Sequence, residues 1–340
     1  MKRTTIVDVG RLAGVSTKTV SRVLNGGPNV SVDVQRRVRA AAEELDYHPN
    51  VFAQALVRRR SHMIGLVYEN PSPSYVVELQ RGVLERLTGE RYRLVVIPVR
   101  SVQENAAEVV RLLRSAALDG VVLAPPASDN PVILRQLKEA GIFCARIAPT
   151  RMIDSAPSNL VDDVTAAREI AAYVIAMGHC EIAIIRGDAT HPSSEARMLG
   201  YTQAFHQAGI ALKFDQIEPG LFTYESGLAA GRAILNRPNR PTAILAQNDD
   251  MAVGAMMAAR ELGMQIPEQL SVVGFDDSEV SRIIWPRLTT VRQPVFAMAV
   301  AATDMVIAQL EGRDPLGEVV HSHELMIRES AAPPPGLRGT

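Results

Sequence analysis

Three groups of side chains in this 340-residue sequence have types and spacings that could do chemistry. Near the N-terminus, Thr17, Lys18 and Arg22 lie at the start of a short helical pattern. Lys18 and Arg22 suit guanine O6 and N7, and Thr17 suits a base edge or a thymine methyl. Ser16, Ser21, Asn25 and Ser31 around them are suited to phosphate oxygens, which set register and not sequence. A second group sits where apolar runs end: Tyr68 and Asn70, Asp188, Asn248 and Asp249, and Asp276. Arg197 opens a helix nearby, and Phe222 precedes another. An arginine and an aspartate with amide and aromatic neighbours can grip paired sugar hydroxyls and cover the apolar face of a ring. The third group comprises the pairs Asp249-Asp250 and Asp276-Asp277 and the run His321-Ser322-His323-Glu324. Two carboxylates could serve a sugar-active enzyme such as a glycosidase. Alternation along a strand puts His321 and His323 on one face with no evident third ligand, which suits a surface or subunit edge better than a metal. The sequence contains neither a GxxxxGK[ST] loop nor a GxSxG elbow. An enzyme is not expected, and no cofactor or metal is expected.

The first group needs a scaffold, and residues 1–48 supply one. Ile6, Val9, Leu12 and Ala13 recur at helical spacing, with Thr5 and Asp8 placed to cap the start. Gly14 makes the turn, Ser16 caps a second helix carrying Val20, Val23 and Leu24, and Asn25-Gly26-Gly27-Pro28-Asn29 is a loop. Ser31 caps a third helix with Val34, Val38, Ala41, Ala42 and Leu45 inward. Three such helices make an all-α helix-turn-helix headpiece whose second helix enters the major groove. Residues 49–61 read as a hinge helix and linker: Asn50 caps Val51–Val57, and Arg58-Arg59-Arg60 follows. So short a helix is unstable alone in water. Folding on DNA as a paired wedge, with Leu56 prying open a base step, would satisfy its apolar residues.

From Met63 the pattern changes to apolar runs alternating with amphipathic stretches. Met63–Tyr68, Leu94–Pro98, Gly120–Ala124 and Ile142–Ile147 read as strands, with helices near Tyr75–Thr88 and Asn105–Ala117 among those between. The rhythm repeats with strands at Ile182–Arg186, Gln216–Glu218, Ala243–Ala246 and Ser271–Phe275. Such alternation gives parallel sheets covered on both faces, here as two successive α/β halves with a cleft between them. Ligands of open α/β sheets sit beyond the carboxyl ends of strands, where the second group lies.

Composition agrees. The chain is 47% hydrophobic and 21% charged, ample for large packed cores. No run approaches the ~18 apolar residues of a membrane span, and no apolar segment follows the basic N-terminus, so export is not expected and the cytoplasm is. Cys144 and Cys180 stand far apart, as reduced thiols would. Residues 1–60 hold 11 of the 36 Lys and Arg but 5 of the 37 Asp and Glu, a net of +6 against −7 for the rest. Only this end is suited to a polyanion.

Taken together, Thr5-Ile6-x-Asp8-Val9-x-x-Leu12-Ala13-Gly14-Val15-Ser16, Thr19–Asn25 and Tyr47-x-Pro49-Asn50-x-x-Ala53-x-x-Leu56 resemble the headpiece of the lactose/galactose repressor (LacI/GalR) family. Gly10 departs from the usual alanine, at a helix-propensity cost of ~1 kcal/mol. Gly178-His179, Arg197-x-x-Gly200-Tyr201, Ala246-x-Asn248-Asp249, Ser271–Asp277 and Pro286–Pro294 resemble that family's two-lobed, periplasmic-binding-protein-like effector domain. The resemblance reaches to about Arg328. It implies a homodimeric transcriptional regulator, most often a repressor, that reads a pseudo-palindromic operator. Hinge residues Asn50, Ala53 and Leu56 would lie in the minor groove. Arg197, Asn248 and Asp276 would contact a sugar or glycoside effector, with Phe222 stacking and Asn70 to Tyr75 lining the other lobe. It also implies crossovers that make each lobe discontinuous: 62–161 with 291–320, and 162–290 with 321–330. Residues 331–340, rich in proline, read as a disordered tail without the leucine heptads that join dimers into tetramers. An exported sugar-binding protein would share the cleft but has no use for a basic headpiece.

Overall fold

The computed structural model describes residues 4–24, 28, 30–47, 60–69, 72–150, 156–315 and 317–337. Asn25, Asn50, Ala53, Leu56 and Asn70, singled out above, lie outside the described residues. The chain divides into two compact units at His62/Met63.

The first unit holds α1 (Ile6–Ala13), α2 (Thr17–Leu24) and α3 (Val32–Glu44). The Thr5 backbone N–H and hydroxyl both donate to the Asp8 carboxylate, at 3.0 and 2.6 Å, fixing the first turn of α1. Gly14 ends that helix at φ 65°, a left-handed conformation that costs glycine nothing. Val9, Ala13, Val20, Val23, Val38 and Ala41 close the small core. Leu12 departs from the expected apolar stripe: it is 47% exposed, because α1 turns Val9, Gly10 and Ala13 inward and leaves Leu12 beside that face. Gly10 also has a packing role. A Cβ there would stand 2.9 Å from the Val15 carbonyl oxygen, so the bare glycine lets the turn close onto α1.

The second unit begins with β1 (Met63–Tyr68), α4 (Pro73–Leu87), β2 (Arg93–Pro98), α5 (Val102–Ser115), β3 (Gly120–Leu123), α6 (Pro131–Ala140), β4 (Phe143–Ile147) and β5 (Ser158–Val161). It continues with α7 (Asp163–Ala176), β6 (Ile182–Arg186), α8 (Pro192–Gln207), β7 (Ile217–Pro219), α9 (Tyr224–Leu235), β8 (Ala243–Ala246), α10 (Asp249–Glu261) and β9 (Ser271–Val273). The last elements are α11 (Glu279–Ile283), β10 (Thr290–Arg292), α12 (Val295–Leu310), β11 (Glu318–His321) and β12 (Glu324–Met326). Two parallel sheets result, ordered β11-β5-β4-β3-β1-β2 and β7-β6-β8-β9, one to each lobe. Strand residues alternate between the cores on the two faces. Ile185, Ile244 and Ala246 point into one, Ile184, Ala243 and Leu245 into the other. The first sheet does the same with Ile64 and Leu66 against Val67 and Val121.

β10 and β12 pair antiparallel, Thr290 opposite Met326. The chain passes β10 on the way to α12, whose Met298, Ala299, Ala302 and Val306 join the core of the first sheet. Beside β10, the buried Asp277 carboxylate accepts from Arg292 Nε (2.8 Å), Arg282 (2.9–3.1 Å to its carbonyl and carboxylate) and Arg328. The tail after Ser330, expected to be disordered, is instead held to the second lobe through residue 337. Ala332 O accepts from Ser271 Oγ and stands 2.9 Å from His179 Nε2, and Ala332 N–H donates to Ser271 Oγ. A polar serine and a histidine on the sheet edge give this proline-rich segment partners that its composition did not suggest.

Candidate functional site

Two surfaces carry the residues picked out above, one in each unit. On the headpiece, Thr17, Lys18 and Arg22 are all exposed along α2. The hydroxyl of Ser16 accepts from Thr19 N–H at 3.2 Å, and that of Ser31 accepts from Val34 N–H at 3.5 Å, so both cap helices. Both remain exposed, whereas Ser21 is half-buried.

In the second unit, the loops beyond the strand ends converge on one cavity of about 30 Å³. That is room for a water or two. Tyr75, Arg197, Phe222, Asn248 and Asp276 all line it, joined by Ser72, Asp163, His191, Ser193 and Gln293. Tyr75 comes from the first turn of α4, whose N-cap is Ser72. Arg197 projects from α8, and Asn248 caps α10 by accepting from Met251 N–H at 3.0 Å. Asp276 and Phe222 sit in loops at φ 121° and 59°, conformations that cost a non-glycine residue about 1–3 kcal/mol and that packing must hold in place. For Phe222 the packing is visible. Its ring fills the space that a Cβ on Gly187 would occupy, and it stands edge-on to His191 with centroids 5.4 Å apart.

The electrostatics centre on Arg197, which is 5% exposed. Its Nε donates to Asp163 Oδ1 at 2.8 Å, Nη1 donates to the Gln247 carbonyl, and Nη2 lies 3.8 Å from Asp276 Oδ1. Its guanidinium also stacks on Phe275, Cζ being 3.8 Å from the ring centroid. Burial opposes the charge, but Asp163 and Asp276 outweigh it and raise the pKa above the usual arginine value. Burial drives Asp276 the other way for a carboxyl, up to about 7, with Arg197 and the 2.7 Å bond from Gln293 Nε2 only partly offsetting it. Asp249, one turn into the wall, is also raised well above the carboxylate range by burial and by Asp276. Thr290 Oγ1 donates to it at 2.6 Å, and Ser278 N–H and Oγ at 2.7 and 2.9 Å. Burial keeps His191 below the ordinary imidazole value.

The carboxylate pairs considered for catalysis therefore have other partners. Asp277 is neutralised by arginines, and Asp250 accepts from Ser72 Oγ at 2.6 Å across the cleft. His321 bonds Asn159 at 3.0 Å, and His323 bonds Glu169 at 2.8 Å. Among the described residues, no group of three or more His, Cys, Asp or Glu could hold a metal.

The sequence reading missed Asp163, His191 and Gln293. Asp163 follows β5, a strand of four residues that leaves little periodicity. Gln293 stands immediately after β10, and its only signal was the Gln293-Pro294 end of the resembling segment.

Residues 5–50 match bacterial regulatory proteins of the lacI family, and residues 171–331 match the periplasmic binding protein-like domain. The probable HTH-type transcriptional repressor ExuR of Bacillus subtilis is 33% identical over 96% of this chain and 98% of its own length. The ribose operon repressor of Escherichia coli is also 33% identical, over 90% of this chain and 93% of its own. Among solved structures, the transcriptional regulator CelR–cellobiose complex superposes with a TM-score of 0.72 at 30% identity. The lac repressor dimer bound to operator and the anti-inducer ONPF superposes at 0.85 and 27% identity. Each covers 97% of this chain and all of its own. A headpiece and an effector domain matched end to end place this chain in the LacI family of helix-turn-helix transcriptional regulators.

Proposed function

We propose that this chain is a homodimeric transcriptional repressor whose hold on a pseudo-palindromic operator is set by a sugar bound in the cleft of the second unit. One observation carries the reading: Arg197, Phe222, Asn248 and Asp276, suited to sugar chemistry, and Tyr75, implied by the resemblance, surround a single cavity, although Tyr68 and Asp188 of the same strand-end group do not line it. Arg197 and Asp276 present charged groups to ring hydroxyls, Asn248 keeps one acceptor lone pair and one N–H beyond its bonds to Met251 and Phe222, and Phe222 offers a ring face. The relatives support the ligand class, since one is named for ribose and another is solved with cellobiose. Thr17, Lys18 and Arg22 read bases, Ser16, Ser21, Asn25 and Ser31 hold phosphates, and Asn50, Ala53 and Leu56 form the minor-groove hinge. The chain passes between lobes near 161/162, 290/291 and 320/321. Coupling works by linkage, the effector favouring whichever lobe arrangement it binds better.

Asp276→Ala tests the assignment. The variant should hold operator DNA in the absence of sugar but no longer respond to any sugar that shifts the wild-type melting temperature. A normal response would refute the pocket.

A further inference from the structure

A hydrogen bond between side chains joins the two walls of the cleft. Ser72 begins α4, which packs into the core of the first lobe through Leu79, Val83 and Leu87. Asp250 lies in the first turn of α10, which packs into the second lobe through Met251, Ala252 and Ala255. The Ser72 hydroxyl donates to Asp250 Oδ2 at 2.6 Å, so this bond runs from one lobe to the other. Its surroundings strengthen it. Ser72 is 3% exposed, and a hydroxyl-to-carboxylate bond shielded from water is stronger than one between neutral groups. Burial raises the Asp250 carboxyl above its ordinary value, the Ser72 bond works against that shift, and Glu225 adds to it.

The bond is tied to the cavity at both ends. Tyr75, three residues along α4, donates its N–H to Ser72 Oγ at 3.4 Å and lines the cavity. Asn248, two residues before Asp250, lines it from the other lobe. The cavity measures about 30 Å³, against about 300 Å³ or more for ordinary ligand pockets. A sugar ring therefore does not fit between the lobes as they stand, and admitting one must move α4 away from α10. A bond of 2.6 Å is lost within about an ångström of such movement.

We infer that Ser72 and Asp250 form a latch favouring an arrangement of the lobes too tight for the effector, which must break their bond to enter. Its regulatory meaning rests on the proposal that the cleft binds a sugar, but the latch itself is tested without one. In a full-length Cys180→Ser background, Ser193→Cys places a thiol in the cavity wall, and its alkylation by iodoacetamide reports how often the lobes part. Asp250→Ala and Ser72→Gly (glycine being a tolerated helix N-cap) should each speed that reaction at least threefold. The two together should be no faster than the faster one alone. The buried Cys144 should react as slowly as in the parent, since only the cleft opens. A change below threefold, effects that multiply in the double variant, or a faster Cys144 would overturn the latch. Calorimetric titration with ribose, glucose, galactose and cellobiose then reads its effect on binding. A sugar bound by the parent should bind Asp250→Ala at least threefold more tightly, because it no longer competes with the bond. A smaller gain, or weaker binding, would show that the bond survives in the complex and would overturn the competition. Failure of every sugar to bind the parent would instead bring down the sugar reading, with the latch decided by alkylation.

Discussion

The headpiece and the cleft expose their functional groups in opposite ways. On α2 the side chains assigned to bases are exposed, and the small core beneath them is made of other residues. In the cleft nearly every polar group has a second employment. Arg197 ties α8 to Asp163 and Gln247, Asn248 caps α10 and holds the Phe222 carbonyl, and Asp276 is bonded to Gln293 just after β10. On the roles proposed, recognition of DNA can thus change without touching the fold, while recognition of the effector cannot. That difference also suits the proposed switch: a ligand competing for Asp276 would act on its bond to Gln293, between β10 and α12.

The largest effect expected from this contrast is on Arg197→Ala. Removing one member of a buried ion pair leaves uncompensated charge, typically at a cost of about 3–5 kcal/mol. Here Asp163 loses its 2.8 Å partner and Asp276 its nearest cation. The variant should melt well below the parent and bind no effector. A melting temperature within a degree or two of the parent would show that the cleft is not structurally committed. The paired experiment is Arg22→Ala, which should leave the melting temperature unchanged, since surface substitutions usually stay within about 0.5 kcal/mol. It should weaken the operator by about 1–3 kcal/mol and relax preference at one base pair. A uniform loss on specific and random DNA would demote Arg22 to a phosphate contact.

The same contrast explains what could be read from the sequence. The headpiece is local: Thr5 meets Asp8 and Ser16 meets Thr19 three residues on, so caps and periodicity announce it. The sheets were legible because each central strand is a run of buried residues, as at Ala243–Ala246. What escaped is built from distant pairings. Ser158 lies beside Glu318, and Thr290 beside Met326, in strands of three or four residues whose pattern says nothing about partners. α12 has scarcely any polar face, so helical amphipathicity does not mark it. Asp163 and Gln293 escaped for the same reason, since each follows a short strand, β5 or β10.

Within the cleft, two adjacent carboxyls sharpen the comparison further through pH. Burial holds Asp276 up to about 7, above its ordinary value of 3.8. Burial would raise Asp277 as well, but the bonds from Arg328 and Arg292 prevail and hold it below that value. The native state therefore binds the Asp276 proton more readily than the unfolded chain does. Its contribution to stability is present below about pH 4 and is lost as pH rises through 7. Asp277 contributes with the opposite sign, its stabilisation being present above the ordinary carboxyl range and lost on acidification. The melting temperature should consequently fall between about pH 4 and 7 and level off above, and Asp276→Asn should flatten that fall while the loss in acid remains. An ionised Asp276 accepts hydroxyl protons at both oxygens and more strongly than its neutral form does, so effector affinity should rise over the same interval, by about tenfold at most for each pH unit below the pKa. Calorimetry at pH 6, 7 and 8 separates the two effects. A pH-independent affinity would mean that the sugar hydroxyls rest on Arg197 and Asn248, and that Asp276 serves only to hold the arginine.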